Sequence, residues 1–267
     1  MISTKQFENK IFNEKCEETI QKMIEGGQKV DIVLTSPFYN TNYKAGKTRT
    51  LKDMNDKYFP YVRYDVLVDN MSDKEYEDFT CSLFDMFNSL VKENGVVLWQ
   101  ISYGALGAQK LIDLMSSVGS RTNWTCADIF TWKKKMALPN SVSMNKCTRI
   151  TEYIFVFCRK TEYNTFKSNK KVVSIRKNGQ KQYSTFPNFI EAKNNDGACN
   201  LNKATFSTEL VEKLLDCYAT EGAVVYDCFM GTGTTAVACK RKGLTYIGSE
   251  ISEKQCKYAE ERIKNED

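Results

Sequence analysis

Val224-Val225-Tyr226-Asp227-Cys228-Phe229-Met230-Gly231-Thr232-Gly233-Thr234-Thr235 is a short apolar run that breaks into a polar turn holding two glycines. A second stretch has the same form much earlier in the chain: Asp31-Ile32-Val33-Leu34 runs into Thr35-Ser36-Pro37-Phe38-Tyr39-Asn40. Short β-branched runs that stop at turn-forming residues read as buried parallel strands ending in loops. Ligands of open α/β sheets bind at such strand ends. The segments around them alternate in the same way. Strands are predicted near residues 11–13, Val30–Leu34, Val96–Ile101, Ala127–Trp132, Tyr153–Phe157, Ala223–Tyr226 and Thr245–Gly248. Helices are predicted over Glu17–Ile24, from Ser72 to about Leu90, and over Leu106–Val118, Ser207–Tyr218, Thr234–Lys242 and Ser252–Lys264. Ser72 with Glu75 has the spacing of a capping box, and Asn94-Gly95 reads as a turn ahead of the strand at Val96. Strands alternating with helices imply an α/β fold, a doubly wound and mainly parallel sheet of Rossmann-like form. Residues 1–267 read as a single domain, with a long polar, basic and aromatic loop over 41–70 and a weakly periodic inserted region over about 160–200.

Composition narrows the chemistry. The chain has 267 residues, 42% of them hydrophobic, enough for a real core. Its longest apolar run, Tyr153–Cys158, is strand-sized and far short of the roughly 18–20 residues of a membrane span. Residues 1–6 carry no apolar signal region, so an intracellular location is expected, cytoplasmic or, in a eukaryote, nuclear. The ten cysteines are scattered without a Cys-x-x-Cys pair, and histidine is absent. No metal site is expected, and Ser-His-Asp and Cys-His catalysis are excluded. The net charge is +5, with Lys and Arg gathered at Lys44–Arg63, Lys133–Arg149 and Lys167–Lys193. Such clusters suit a polyanion or a solvated basic face alike.

The Asp227–Thr235 loop reads as a cofactor site. Its glycines allow a tight turn and close approach of a ligand to the backbone. Fourteen residues past Ala236, Glu250 closes the next strand with an acid that suits ribose hydroxyls. Gly231-x-Gly233-x-x-Ala236 also fits a relaxed dinucleotide fingerprint, but Asp227 beside it repels a pyrophosphate and attracts an ammonium. That favours S-adenosylmethionine. In the Ser36-Pro37-Phe38-Tyr39 loop, proline holds Ser36 extended. The Ser36 hydroxyl and a main-chain carbonyl then form a pair of acceptors for an exocyclic amine, and Tyr39 offers a ring face for stacking. A strand-end turn with a buried tyrosine has the same letters.

With both loops read, the chain resembles the S-adenosylmethionine-dependent DNA amino-methyltransferases of the beta group, in which a D/N/S-P-P-Y/F motif precedes F-x-G-x-G. The resemblance implies a methyltransferase sheet with an antiparallel hairpin strand, and a target-recognition region falling on about 160–200. It places amine binding and catalysis on Ser36, Pro37, Phe38 and Tyr39. It places the cofactor on Asp227, Phe229, Gly231, Gly233, Thr234, Thr235 and Glu250. It implies DNA as partner, through base flipping, and a homodimer. Three positions depart from the family: Phe38 for a second proline, Cys228 for the proline after the acid, and Asn202-Lys203-Ala204 for His-Pro-Ala. Ser at the first motif position is commoner in cytosine-N4 enzymes, whereas Tyr39-Asn40 resembles many adenine-N6 enzymes; the reading leans to adenine. Phosphate contacts are expected from Lys44, Lys47, Arg49 and Arg63, which lie among aromatic residues, and from Lys133, Lys134 and Lys135 after Trp132. The rival readings are methyl transfer to RNA or a protein amide, and a catalytically inactive DNA-binding partner subunit.

Overall fold

A computed structural model describes residues 4–40, 71–103, 107–136, 144–145, 147–197, 201–202 and 205–266. The loop expected over 41–70 lies outside these residues, and with it Lys44, Lys47, Arg49 and Arg63. Ten strands and six α-helices are described. In chain order they are β1 (Lys10–Phe12), α1 (Cys16–Glu25), β2 (Val30–Thr35), α2 (Asp73–Leu90), β3 (Val91–Ile101), α3 (Gln109–Arg121), β4 (Trp124–Lys134) and β5 (Thr151–Arg159). There follow β6 (Val172–Ile175), β7 (Lys181–Tyr183), β8 (Phe189–Ala192), α4 (Thr208–Tyr218), β9 (Val224–Asp227), α5 (Thr234–Arg241), β10 (Thr245–Ser249) and α6 (Glu253–Lys264).

Eight strands form one sheet in the order β1-β10-β9-β2-β3-β5-β4-β8. Every pairing is parallel except those of β5, which runs antiparallel to both β3 and β4. The central strands are buried on both faces, and their residues alternate between two cores. Val33, Val97, Trp99, Phe157 and Tyr226 face helices α1, α2 and α3. Ile32, Leu34, Leu98, Val156 and Val225 face α4 and α5. This period of two across a continuous apolar run is what a doubly wound sheet requires. On the first face Phe84 of α2 is fully buried among Phe87, Trp99, Trp124 and Phe157, with ring centroids 4.9–6.1 Å away.

Local signals start the helices where the sequence places them. Ser72 Oγ accepts from the Glu75 N–H at 3.3 Å, and Glu75 Oε2 accepts from the Ser72 N–H at 2.8 Å, the expected capping box. The Ser207 and Ser252 side chains cap α4 and α6 by accepting from the Leu210 and Gln255 N–H groups. Asn94-Gly95 does turn the chain, but inside a strand: β3 begins at Val91, and its register with β2 jumps from Val30↔Val91 to Ile32↔Val96. Gly95 is required there, because an added Cβ would lie 2.6 Å from the Asp31 carbonyl oxygen. Strands β4 and β5 extend beyond their apolar centres, where hydrophobic patterning ends but pairing continues. Residues 160–200 hold an exposed hairpin, β6–β7, and then β8, which adds to the sheet edge beside β4.

The topology fixes where a site lies. Strands β2 and β9 are neighbours at the middle of the sheet, with Ile32 opposite Val225 and Val33 opposite Tyr226. Their connections leave in opposite directions, so their carboxyl ends flank a switch-point crevice. The two loops, nearly two hundred residues apart in sequence, are adjacent in space. Truncating the centre of the first core tests this packing: Phe84→Ala is expected to lower unfolding stability by about 3–5 kcal/mol, read by urea denaturation.

Candidate active site

Asp227 is the last residue of β9 and is 1% exposed. One carboxylate oxygen accepts from Thr35 Oγ1 at 2.6 Å, at the end of β2, and from the Phe229 N–H at 3.0 Å. The other accepts from Thr235 Oγ1 at 2.5 Å, in the first turn of α5. Burial pushes its pKa up to about 6; the Thr235 and Thr35 hydroxyls and the Phe229 N–H oppose that rise. Asp227 therefore sits behind the cavity wall as a clamp between strands and helix. All three donors belong to the protein, so the carboxylate braces the two loops.

Past Asp227, the Cys228 thiol donates to Thr35 Oγ1 at 3.5 Å, a link that proline would not make. Gly231 takes a left-handed φ of 54°. Its N–H donates to Glu250 Oε2 at 2.8 Å, while Glu250 Oε1 accepts from the Ser252 N–H at 2.8 Å. Glu250 is thereby fixed at the cavity wall, close to the turn. Gly233 opens α5 with φ 83°, and a Cβ there would approach the Ala259 methyl to 2.7 Å. Close helix packing, more than ligand contact, sets glycine at that position.

These loops enclose a largely apolar cavity of about 300 Å³. Ser36, Pro37 and Phe38 line it from one side, and Phe229, Gly231, Thr234 and Glu250 from the other. Asp227, Gly233 and Thr235 support the wall from behind. Phe38 is buried and touches both loops: its ring lies 6.0 Å from Phe229, edge-on, and 5.7 Å from Phe79 of α2. Where a second proline would stiffen the turn, Phe38 holds it by aromatic packing. The Tyr76 hydroxyl also donates to the Phe38 carbonyl.

Tyr39 points to a neighbouring cavity of about 90 Å³, which it lines with Asn40, Tyr76, Ser102 and Tyr103. Its one hydroxyl proton is shared between Gln100 Oε1 at 2.9 Å and Glu152 Oε2 at 3.2 Å. Neither partner belongs to a motif. Gln100 did leave a signal, as the one polar residue in the run Val96-Val97-Leu98-Trp99-Gln100-Ile101. Lys133, Lys134 and Lys135 come together at the end of β4, and each meets a carboxylate: Glu191 at 2.8 Å, Glu152 at 2.5 Å and Glu209 at 2.8 Å. Among the described residues no group of three or more Cys, Asp or Glu side chains is placed to hold a metal ion, and no helix is long and apolar enough to cross a membrane.

A parallel sheet with one reversed strand, and a crevice walled by these two loops, is the fold of the class I methyltransferases. The family described as DNA methylase, the N6/N4 methyltransferases, matches residues 30–261, and this chain belongs to it. Two solved structures share the fold at a TM-score of 0.63. The M1.HpyAVI–SAM complex is 19% identical, over 95% of this chain and 98% of that one. The PvuII DNA methyltransferase (cytosine-N4-specific) is 17% identical, over 94% and 85%. In sequence, the orphan methyltransferase M.BamHII of Bacillus amyloliquefaciens is 30% identical over 149 residues, 45% of this chain and 56% of that protein. The type II methyltransferase M.HinfI of Haemophilus influenzae is 23% identical over 97% of this chain and 69% of its own. The match spans about half the length of the first curated relatives, 56% of M.BamHII and 46% of M.Cfr9I of Citrobacter freundii.

The raised pKa of Asp227 has a consequence for stability. Between about 4, the value in an unfolded chain, and about 6, the folded protein keeps a proton that the unfolded chain has released. Stability falls as pH rises through that window and is level above it. Relative to wild type, Asp227→Asn is expected to gain about 3 kcal/mol between roughly pH 4 and pH 7, read from urea unfolding at both values. A pH-independent difference would refute the raised pKa.

Proposed function

We propose that this protein is an S-adenosylmethionine-dependent DNA amino-methyltransferase that modifies adenine N6. The carrying observation is the single cavity that has the Ser36-Pro37-Phe38 loop on one side and the Phe229–Thr234 loop with Glu250 on the other. Its volume and apolar lining suit a nucleoside cofactor. Glu250, held by two backbone N–H groups, suits ribose hydroxyls, and the open Gly231 turn lets a ligand lie against the backbone. Phe229, Gly231, Thr234 and Glu250 would hold the cofactor, with Asp227, Gly233 and Thr235 bracing them. When bound, S-adenosylmethionine supplies an electrophilic methyl group.

The chain's own residues supply position and dryness. The Ser36 hydroxyl and Pro37 carbonyl accept the two hydrogens of the base amine and aim its lone pair into the cavity. Tyr39 stacks on a base drawn out of the helix. Phe38, Phe79 and Phe229 exclude water from the junction. Alignment in a desolvated site accounts for the catalysis without a covalent nucleophile. The second reading, cytosine N4, is favoured by Ser36 at the first motif position, where the family resemblance associates serine with cytosine-N4 enzymes; the acceptor pair itself does not discriminate, since both amines offer the same two hydrogens. The exposed β6–β7 ribbon, with Lys171, Arg176, Lys177 and Lys181 around it, supports DNA contact and target recognition over 160–200, because a two-stranded ribbon fits the major groove. The beta-group resemblance carries one further part of the reading, a homodimer, and the proposed DNA substrate carries another, an intracellular location.

Nucleoside mass spectrometry of unmethylated DNA incubated with protein and S-adenosylmethionine is expected to reveal N6-methyladenine. N4-methylcytosine would establish the second reading, and neither product would remove both. Tyr39→Ala is expected to lower kcat by about a hundredfold or more. Its cofactor Kd, measured by calorimetry, should stay within about twofold of wild type. Full activity in that variant would overturn the stacking role.

A further inference from the structure

Three polar side chains from three strands meet on one face of an otherwise apolar sheet. Gln100 of β3 lies opposite Ile154 of β5. Glu152, two residues before Ile154, lies opposite Trp132 of β4. Lys134, two residues after Trp132, completes the row. Gln100 is 2% exposed, and the Glu152 and Lys134 side chains 14% and 24%. Gln100 Nε2 donates to Glu152 Oε2 at 2.8 Å, Lys134 Nζ donates to Glu152 Oε1 at 2.5 Å, and the Lys134 ammonium lies 5.1 Å from the centre of the Trp132 ring. The Tyr39 hydroxyl donates into this group, to Gln100 and to Glu152.

A half-buried ion pair is a weak source of stability, since desolvation offsets much of its attraction. What it does well is fix geometry. A carboxylate only accepts, so the Gln100 amide N–H must donate to it, and the single phenol proton is shared between Gln100 Oε1 and Glu152 Oε2. That sets the orientation of the Gln100 amide and the direction of the Tyr39 O–H, and through them the plane of the ring. The Lys134 ammonium balances the carboxylate charge that this arrangement brings indoors.

We propose that Glu152 is a positioning residue of the methyl-transfer site, acting through the phenol of Tyr39, with Gln100 as the relay and Lys134 as the counter-charge. The inference rests on the function proposed above. Glu152 touches neither reacting group; it holds the ring face against which the target base stacks. The antiparallel strand β5 and its partner β4 thereby reach the catalytic loop at the end of β2.

A double-mutant cycle tests it. Single-turnover methyl transfer to DNA is measured for wild type, Tyr39→Phe, Glu152→Gln and the double variant, with cofactor Kd alongside. Each single change is expected to slow transfer by about tenfold, with cofactor Kd unchanged. In the Tyr39→Phe background, which keeps the ring but lacks the hydroxyl, Glu152→Gln should cost no more than about a further twofold. A purely structural glutamate would slow transfer as much in either background, and that additive result overturns the inference. Gln100→Leu, run through the same cycle, gives the same two outcomes if Glu152→Gln does not fold. An active wild type with additive changes sinks the inference alone, whereas a wild type that binds cofactor yet methylates no DNA removes the proposed function and this inference with it.

Discussion

The site depends on one buried carboxylate. Asp227 accepts hydrogen bonds from the end of β2, from its own loop and from the first turn of α5. Burying a carboxylate is unfavourable unless its oxygens are satisfied, and here three donors satisfy them. The geometry has a single solution, in which the two loops leave neighbouring strands side by side. Remove the clamp and the sheet still pairs through Ile32 and Val33, but the two loops are then held together only by the Phe38–Phe229 ring contact and the Cys228 thiol, among the contacts described above. Burial raises the pKa of the carboxylate, and the three donors hold that rise down.

Phe38 shows how a departure from a motif is absorbed. Proline at that position would restrict the backbone directly. Phenylalanine leaves the backbone freer, yet its ring packs against Phe79 and edge-on against Phe229, one from α2 and one from the cofactor loop. Tyr76 adds a hydrogen bond to the Phe38 carbonyl. Rigidity moves from the covalent ring to three aromatic neighbours, two on α2 and one on the loop after β9. The same change joins the two loops through a side chain, which a proline is too small to do. Cys228 acts alike, linking the loop to Thr35 where proline would offer no donor.

Much of this was legible in the sequence, because the relevant signals are local. Strand-sized apolar runs, serine caps and two loops with turn chemistry give the layer order and the site's position. Signals that depend on partners elsewhere in the chain were not legible. Asn94-Gly95 reads as a turn, but only the jump in register against β2 shows that the turn is inside a strand. Asp227 reads as the start of a ligand loop, and only Thr35, 192 residues away, shows that its carboxylate also ties that loop to the end of β2. Gly233 reads as part of the cofactor loop, and only Ala259 on α6 shows that helix packing requires a glycine there. Local chemistry names the residues that matter, and tertiary contacts assign their work.

The lysines after Trp132 separate along the same line. As a run of three they read as one basic patch, but strand alternation sends them to different faces and different partners. Lys133 and Lys135 sit in ion pairs with Glu191 and Glu209 whose lysine ends are about two-fifths exposed. Such pairs contribute little, so exchanging a carboxylate for a DNA phosphate is nearly neutral for the fold. Lys134 is more enclosed, stacked near Trp132 and bonded to Glu152, which is itself tied to Gln100 and Tyr39. A phosphate that captured it would strip Glu152 of its counter-charge. On the proposed function, the outer two lysines would meet the backbone of a bound DNA, and the middle one would hold the Glu152 network in place.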